Sequence, residues 1–388
     1  MMNPAAADRF VEAAAAYVHI PFCSAVCPYC DFAVVAGHDH VAASYVDAVC
    51  AEIDAANPWR PLDAIYFGGG TPSHVDTALL GRIVEALEAR HGMAGGVELS
   101  LEANPEDFSV ERARKLREIG FNRVSFGAQS FDNSVLASLG RRHRASHIED
   151  SVDAAREAGF KNVSVDLIYG TPGETDQSWE ESLHRTMAIA PDHVSCYALT
   201  VERGTPLGRA VSSGAEAPDP DIQADRYETA ERVLTSAGLA RYEVSNWSRP
   251  GWECGYNLTV WAQGEYEAYG NGAHGFRDGR RYRNVRRVDT YIDRVEAGAS
   301  PRAGHDTVTG WEAELDRLFV GLRRTVGVAH GPGTETFLAS DEGKALVDAG
   351  VMGATDGRLR VTRPLLTDAV HRSLLALDRP IVMVDSDA

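Results

Sequence analysis

The chain has 388 residues, of which 44% are hydrophobic and 24% are charged, and its formal net charge at pH 7 is -18. This length allows roughly two to three domains with buried cores. The negative charge argues against broad binding to nucleic acid or anionic lipid, because the field of the protein repels polyanions. No apolar run has the length of a membrane span, and residues 1–16 lack the apolar centre of a signal peptide.

Short runs rich in Val, Ile, Leu, Phe and Tyr alternate with stretches of helical periodicity in the first half of the chain. The predicted strands cover residues 17–20, 64–67, 97–102, 123–128, 163–168 and 194–199. The predicted helices cover residues 42–56, 77–91, 110–119, 146–158 and 178–190. Strands that suit burial on both faces and alternate with helices indicate parallel βα units. Six strands of this kind predict an α/β fold with a partial (β/α)6 barrel.

Polar and glycine-rich segments follow the carboxyl ends of these strands. They cover residues 68–73, 102–104, 129–130, 170–173 and 197–200, together with Asp166. In α/β folds this end of the strands carries the active site. We therefore expect several strands to contribute to one site at this edge.

The composition changes to Gly, Ser, Ala and Pro near residues 204–220, which we interpret as a domain boundary. A helix is predicted over residues 221–237. Residues 310–377 combine helical periodicity with a short strand pair around residues 359–361, as in a small winged-helix-like module. We predict three regions: the partial barrel in residues 1–210, an α+β extension in residues 211–300 and a helical or winged-helix-like module in residues 301–388.

Three of the six cysteines, Cys23, Cys27 and Cys30, fall within eight residues. Such a group in a long chain with few cysteines indicates a metal site in a reducing compartment, which predicts a cytoplasmic protein. Thiolates at Cys-x3-Cys-x2-Cys spacing can bind three irons of a [4Fe–4S] cluster and leave the fourth open. S-adenosylmethionine (SAM) can chelate that iron, and one electron from the cluster then cleaves its sulfonium C–S bond. The alternative is a zinc site completed by His38 or His40.

The sequence also carries six motifs, at residues 17–23, 68–73, 102–105, 122–131, 139–143 and 166–173. Through them the chain, from residue 17 to about residue 370, resembles the radical SAM superfamily and, within it, the oxygen-independent coproporphyrinogen III oxidase-like family. The resemblance implies a radical SAM barrel with a cluster on the three clustered cysteines and SAM beside it. The positions that match SAM contacts in the family are Tyr17, Tyr29, Gly69, Gly70, Thr71, Glu102, Gln129, Arg141 and Asp166.

These positions also have a physical interpretation. Glycines after a strand let the backbone approach a ligand closely, although a tight turn alone would need one glycine. Glu102 can accept hydrogen bonds from the ribose or the ammonium group of SAM, and Arg141 suits its carboxylate. The alternative for Glu102, Arg141 and Asp166 is a role as salt-bridge partners at the rim of the barrel.

Phe32 stands where the oxidases of the family have a fourth cysteine. In this residue, and in lacking the oxidases' longer N-terminal part, the chain resembles the haem chaperone branch of the family. That resemblance implies haem as cargo, haem-accepting respiratory proteins as partners and no coproporphyrinogen oxidation, so we assign no catalytic residue. A homodimer and membrane contact through partners are further expectations. The alternatives are a coproporphyrinogen dehydrogenase and a methyltransferase or cyclopropanase acting on another substrate.

Two residues are candidate haem ligands. The branch usually has a His-Asn-x-x-Tyr-Trp motif, which reads here as Tyr256-Asn-Leu-Thr-Val-Trp261. Tyr256 can bind ferric haem as a phenolate, and His274 is the second candidate. The alternatives are that Tyr256 and Trp261 are core aromatics and that His274 bonds to the backbone of its glycine-rich loop. The arginine-rich residues 280–283 and 286–287 are predicted to form a solvated turn and a helix start, and the alternative is a local basic patch that binds anions.

Overall fold

The protein's structure, a computed structural model, describes residues 4–377. Its strands are β1 (Ala14–Ile20), β2 (Phe22–Cys23), β3 (Val35–Ala36), β4 (Leu62–Gly69), β5 (Met93–Ala103), β6 (Arg123–Gln129), β7 (Asn162–Tyr169), β8 (His193–Ala198), β9 (Ala240–Glu243), β10 (Asn246–Ser248), β11 (Glu265–Tyr269), β12 (His274–Arg277), β13 (Arg280–Asn284), β14 (Arg302–Thr307), β15 (Val328–Ala329), β16 (Met352–Thr355) and β17 (Arg358–Val361).

Its α-helices are α1 (Pro4–Glu12), α2 (Ala42–Ala55), α3 (Thr77–His91), α4 (Val110–Ile119), α5 (Asn133–Ser138), α6 (Ala145–Glu157), α7 (Asp176–Ala188), α8 (Pro206–Ser212), α9 (Pro220–Ser236), α10 (Gly255–Trp261), α11 (Val288–Glu296), α12 (Gly310–Gly321), α13 (Pro332–Ala339), α14 (Asp341–Asp348) and α15 (Thr367–Leu375). Within the described range, no helix is both long enough and apolar enough to cross a membrane.

Six parallel strands form the centre of the main sheet in the order β1-β4-β5-β6-β7-β8. Each predicted strand lies within an observed one, except that Leu199 falls one residue past β8. The predicted (β/α)6 arrangement is therefore confirmed. It forms because one face of these strands is apolar and fully buried, as at Phe67, Leu101, Phe126 and Val165, whereas the opposite face carries polar side chains such as Asp166. Burial of each such side chain stabilises the fold by about 1.5–3 kcal/mol.

Later parts of the chain extend both edges of this sheet. β11 pairs in parallel with β1, and β12, β13 and β14 continue from it as antiparallel strands. β10 and β9 add antiparallel strands beside β8. The prediction of a turn for residues 280–283 is wrong, because this segment is β13, paired on both sides. The predicted helix start is observed at Val288.

The C-terminal part has a core of its own, which includes Leu318, Phe337, Leu359 and Val370. Its elements follow the order α12-β15-α13-α14-β16-β17, and β15, β17 and β16 form an antiparallel sheet. This order is typical of a winged helix, and β15 adds a third strand to the strand pair that the sequence indicates. Residues 378–388 of the predicted region lie outside the described residues.

A buried carboxylate in α2 anchors the glycine-rich loop between β11 and β12. Glu52 accepts hydrogen bonds from the backbone N–H of Gly270 (2.9 Å), from Asn284 Nδ2 (2.7 Å) and from the Tyr291 hydroxyl (2.6 Å). The next residue, Asn271, donates from its side chain to the carbonyl oxygen of Ala33 at 3.1 Å. The loop that leads into β12, and so to His274, is thus bonded both to α2 and to the segment that follows the clustered cysteines.

Replacement of Glu52 with Gln is expected to change how stability depends on pH. Burial raises the pKa of Glu52 from its ordinary value of 4.5 to about 7 in the folded state, although its three donors oppose the shift. The folded state therefore binds this proton more tightly than the unfolded chain does. The resulting stabilisation is complete below the ordinary pKa and is lost as pH rises through about 7, with a magnitude on the order of 3 kcal/mol.

Urea unfolding of wild type and Glu52→Gln at about pH 5 and about pH 8.5 measures this effect, because contributions from all other groups cancel in the difference. The advantage of the wild type over the variant should shrink at the higher pH. A difference that does not change with pH would show that Glu52 is ionised throughout.

Candidate cluster and cofactor site

A cavity of about 450 Å³ lies at the carboxyl ends of the parallel strands. All three clustered cysteines line it, together with eight of the nine residues predicted to contact SAM. These eight are Tyr29, Gly69, Gly70, Thr71, Glu102, Gln129, Arg141 and Asp166. Strands and loops far apart in sequence therefore bring the predicted residues to one place.

The clustered cysteines follow one another around a short loop. Cys23 ends β2, and the pairing of β2 with β3 closes the loop that contains Cys27 and Cys30. All three are free thiols. Burial raises the pKa of Cys23 to about 11, although a hydrogen bond from Thr71 opposes this shift. Since a thiolate is the ligand form, this site favours the neutral thiol until a metal binds.

The donor set fits a cubane cluster, because three thiols line one cavity and a cubane binds each through a different iron. Among residues 4–377, no three His, Cys, Asp or Glu side chains converge as ligands of a single metal ion. The alternative zinc ligand His38 has its Nδ1 2.9 Å from the carbonyl oxygen of Ala36, and its ring stacks on that of His40.

A chain of hydrogen bonds joins two of the clustered cysteines. Thr71 Oγ1 lies 3.6 Å from Cys23 Sγ and accepts a hydrogen bond from Asn104 Nδ2 at 3.2 Å. Arg141 donates to Asn104 Oδ1 at 2.6 Å and to Cys27 Sγ at 3.5 Å. Asn104 belongs to the polar segment 102–104 that the sequence predicts at this edge, but it is not among the predicted SAM contacts. Its signal in the sequence is its place directly after β5, at the functional end of the strands.

The glycine turn after β4 allows the cysteine segment to approach. A Cβ atom on Gly70 would lie 2.8 Å from the carbonyl oxygens of Ile20 and Phe22, which is closer than real Cβ atoms come. The N–H of Gly70 donates to Ile20 O at 2.8 Å, and the N–H of Thr71 donates to Phe22 O at 2.9 Å. The run of glycines is thus explained in part by backbone–backbone contact with the cysteine segment.

Two carboxylates lie inside the cavity and not at an exposed rim. Glu102 accepts hydrogen bonds from the Tyr66 hydroxyl (2.9 Å) and from the N–H of Gly69 (3.1 Å). Burial raises the pKa of Glu102 to about 7, although the Tyr66 hydrogen bond opposes the shift. Burial also raises the pKa of Asp166, whose oxygens accept from Ser125 Oγ at 2.9 and 3.0 Å. The alternative of rim salt bridges is not observed for Glu102, Arg141 or Asp166 within residues 4–377.

Gln129 enters the cavity from an irregular end of β6. The register of β6 against β7 shifts between Gly127 and Gln129, and Gln129 has a φ of 63°, which is uncommon for a residue with a side chain. A Cβ atom on Gly127 would come within 2.9 Å of Gln129 Nε2 and 3.4 Å of Arg141 Nη2. The missing side chain at position 127 therefore leaves room for both polar groups.

A second cavity of about 610 Å³ adjoins the first, and Asp31, Phe32, Gly69 and Glu102 line both. Its other lining residues include Tyr17, His19, Tyr256, Tyr266, His274, Arg283 and Arg286. Both candidate haem ligands, Tyr256 and His274, therefore face one space. Tyr17, the ninth predicted SAM residue, lines this cavity and not the one that contains the cysteines.

Aromatic rings form a continuous surface in the second cavity. The Tyr256 ring stacks on those of Tyr17 and Tyr66, with centroid distances of 5.9 and 5.2 Å, and meets Tyr266 edge-on at 5.9 Å. Tyr256 thus lines the cavity, whereas the alternative would bury it entirely within the core. Its geometry suits a flat aromatic ligand, because offset stacking is favourable for such rings.

Comparison with known proteins agrees with the fold and with the cysteine-lined cavity. A sequence model of the Radical SAM superfamily matches residues 17–186. Over 89% of this chain and 94% of the relative, the sequence is 33% identical to "Heme chaperone HemW" of Bacillus subtilis. Over 92% of this chain and 94% of the relative, it is 37% identical to the protein of the same name from Mycobacterium tuberculosis.

Among solved structures, coproporphyrinogen III oxidase (HemN) from Escherichia coli matches with a TM-score of 0.80 at 21% identity, covering 96% of this chain and 93% of that one. This likeness supports the fold. The barrel and its three-cysteine cavity are those of a radical SAM protein, whose cofactors are a [4Fe–4S] cluster and SAM. Within that superfamily, the chain belongs to the HemW family.

Replacement of any one of Cys23, Cys27 and Cys30 with Ser should lower the iron bound after anaerobic reconstitution well below about four atoms per chain, because each thiolate binds a separate iron. Cys50→Ser is the matched control, since Cys50 is a half-buried cysteine of α2 outside the cavity. Iron and sulfide analysis measures the result. A clustered-cysteine variant that keeps about four irons and full sulfide would remove that residue from the ligand set.

Glu102→Gln is expected to weaken SAM binding about tenfold or more at pH 8. It should also abolish the pH dependence of SAM affinity that we expect in the wild type. SAM carries a permanent sulfonium charge, which favours the ionised carboxylate. Because the pKa of Glu102 is about 7, wild-type affinity should rise about tenfold between pH 6 and pH 8.

Calorimetric titration of the reconstituted protein with SAM at both pH values checks this expectation. Glu111→Gln, at an exposed position of α4, serves as the control and should behave as wild type. An identical pH dependence in Glu102→Gln and wild type would show that another group is responsible.

Proposed function

We propose that this protein is a haem chaperone that binds haem in the second cavity, beside its cluster and SAM. The observation that carries this proposal is the second cavity itself, where stacked tyrosines and two possible iron ligands, Tyr256 and His274, border the cysteine-lined cavity. The names of the HemW relatives point to the same cargo. A volume of about 610 Å³ is within the usual range for small-molecule sites.

In the first cavity, Cys23, Cys27 and Cys30 would hold the cluster. When bound, the cluster supplies one electron to the SAM sulfonium. Arg141, which donates to Cys27 Sγ, would bind the carboxylate of SAM, and Glu102, which accepts from the N–H of Gly69, would accept hydrogen bonds from SAM. Gln129, Asp166 and the remaining predicted residues would complete the contacts.

Phe32 supports a carrier in preference to a coproporphyrinogen oxidase. It lines both cavities, and its side chain is 63% exposed. The oxidases that the chain resembles have a cysteine here, and Phe can supply neither a thiol nor a thiolate. An exposed aromatic ring beside the tyrosines instead adds apolar surface for a flat ligand.

Of the two candidate ligands, His274 is better prepared to bind iron. Partial desolvation and the neighbouring cations Arg283, Arg281 and Arg286 lower the pKa of His274, which is exposed to the cavity, and this favours the neutral imidazole that can bind iron. Burial raises the pKa of Tyr256 well above its ordinary value, which disfavours the phenolate that would bind ferric iron. We therefore propose His274 as the iron ligand and Tyr256 as a stacking surface.

Delivery of haem to respiratory haemoproteins in the cytoplasm would follow from this function. Contact with a membrane would then arise through such acceptors, and a homodimer is a further proposal. The three regions 1–210, 211–300 and 301–388 remain our proposed division of the chain, with strands of the second region extending the sheet of the first.

The reconstituted protein should bind haem and should not convert coproporphyrinogen III to protoporphyrinogen IX. His274→Ala should lower haem affinity about tenfold or more, because the iron loses its ligand, whereas Tyr256→Phe should keep the spectrum. Absorbance titration with ferric haem and product analysis under anaerobic conditions measure both properties. Turnover of coproporphyrinogen, or SAM-dependent turnover of another substrate by a protein that binds no haem, would favour the enzyme alternatives.

A further inference from the structure

Two arginines give the second cavity a cationic wall. Arg283 in β13 and Arg286, two residues after that strand, line it together with His274. His274 and Arg283 are directly opposite each other in the β12–β13 pair. Opposite residues on neighbouring strands project to the same face with Cβ atoms about 5 Å apart. A cation therefore lies beside the proposed iron ligand.

Three neighbouring arginines have carboxylate partners, whereas Arg283, Arg286 and also Arg280 have none within the described residues. Ion pairs join Arg277 to Glu267, Arg281 to Asp316 and Arg287 to Asp289. Within the described part of the chain, neither Arg283 nor Arg286 has an ion pair with a carboxylate. Since the protein has 56 acidic and 38 basic residues, partners are plentiful, yet the two arginines that line the cavity have none.

The backbone around the two arginines is held in place. Arg286 O accepts a hydrogen bond from Asn271 Nδ2 at 2.9 Å, and Asn284 donates both to Glu52 and to the carbonyl oxygen of Gly270. The two guanidinium groups are thus carried on a braced segment at the cavity wall. Asp31 and Glu102 also line this cavity, but they belong to the part that it shares with the cysteine-lined cavity.

On the basis of the proposed haem function, we propose that Arg283 and Arg286 bind the propionate carboxylates of haem. Guanidinium groups bind carboxylates through paired, charge-assisted hydrogen bonds, which fix orientation as well as position. The macrocycle would then lie against the tyrosines with its propionates at the arginines. The ligand class is a flat macrocycle with carboxylates along one edge, and the arginines determine which edge enters.

The test compares ferric haem with its dimethyl ester, in which both carboxylates are blocked. Wild type and the double variant Arg283→Gln/Arg286→Gln are titrated with each compound after anaerobic reconstitution, and SAM affinity is measured on the same preparations. Arg280→Gln is the matched control, because Arg280 lies on the same strand but lines a different cavity.

Wild type should bind haem about 10–100-fold more tightly than the ester, as expected for charge-assisted hydrogen bonds. The double variant should lose this preference while its affinities for the ester and for SAM stay as in wild type, and Arg280→Gln should behave as wild type. Arg283→Lys should retain part of the preference, since it keeps the charge without the paired donors.

Equal affinity of the wild type for haem and its ester would overturn the proposal, even if the double variant failed to fold. A double variant that binds haem as tightly as wild type, or that loses haem and ester equally, would overturn it as well. If the wild type bound neither compound, the haem chaperone function itself would fail, which separates the two proposals.

Discussion

The contact between the cysteine segment and the glycine turn after β4 is the constraint on which the site depends. Two backbone hydrogen bonds, from Gly70 to Ile20 and from Thr71 to Phe22, place the residues just before and at the start of the cysteine loop. Any side chain at position 70 would prevent this approach, because its Cβ atom would clash with the carbonyl oxygens of Ile20 and Phe22. The same turn places Thr71 against Cys23 and offers the N–H of Gly69 to Glu102. The proposed cluster ligands and the proposed SAM contacts thus share one backbone scaffold.

The loop that carries the cysteines is also a wall of the second cavity. The carbonyl oxygen of Ala33 accepts from both His19 Nε2 and Asn271 Nδ2, each at 3.1 Å. Asn271 in turn belongs to the loop anchored by Glu52 in α2. The part of the loop that follows the cysteines is therefore bonded to the loop that carries His274, and an ordered cysteine loop is a condition for a complete second cavity.

Short runs rich in apolar residues were sufficient to predict the six central strands, although one face of these strands carries polar side chains of the site, such as Ser125 and Asp166. They could not predict that β11 pairs with β1, because that pairing joins segments about 250 residues apart and leaves no local pattern. The sequence of β13 indicates a turn, although the segment is a strand, because its arginines face solvent and cavities and hide its alternation. Tyr17 was assigned to the SAM site by resemblance, yet strand alternation directs it with His19 to the second cavity, while Val18 and Ile20 enter the core.

The charge of the molecule has opposite consequences at long and short range. A net charge of -18 repels polyanions, but such a field is screened within about 8 Å at physiological ionic strength. Inside the cavities, the nearest charged groups determine whether an anionic group binds. The cations there are Arg123, Arg141, Arg283 and Arg286. Arg123 is only 2% exposed, so burial shields its charge from salt. Small carboxylate-bearing ligands can therefore bind to an acidic protein, because salt screens a charge pair at hydrogen-bond distance far less than it screens the long-range repulsion.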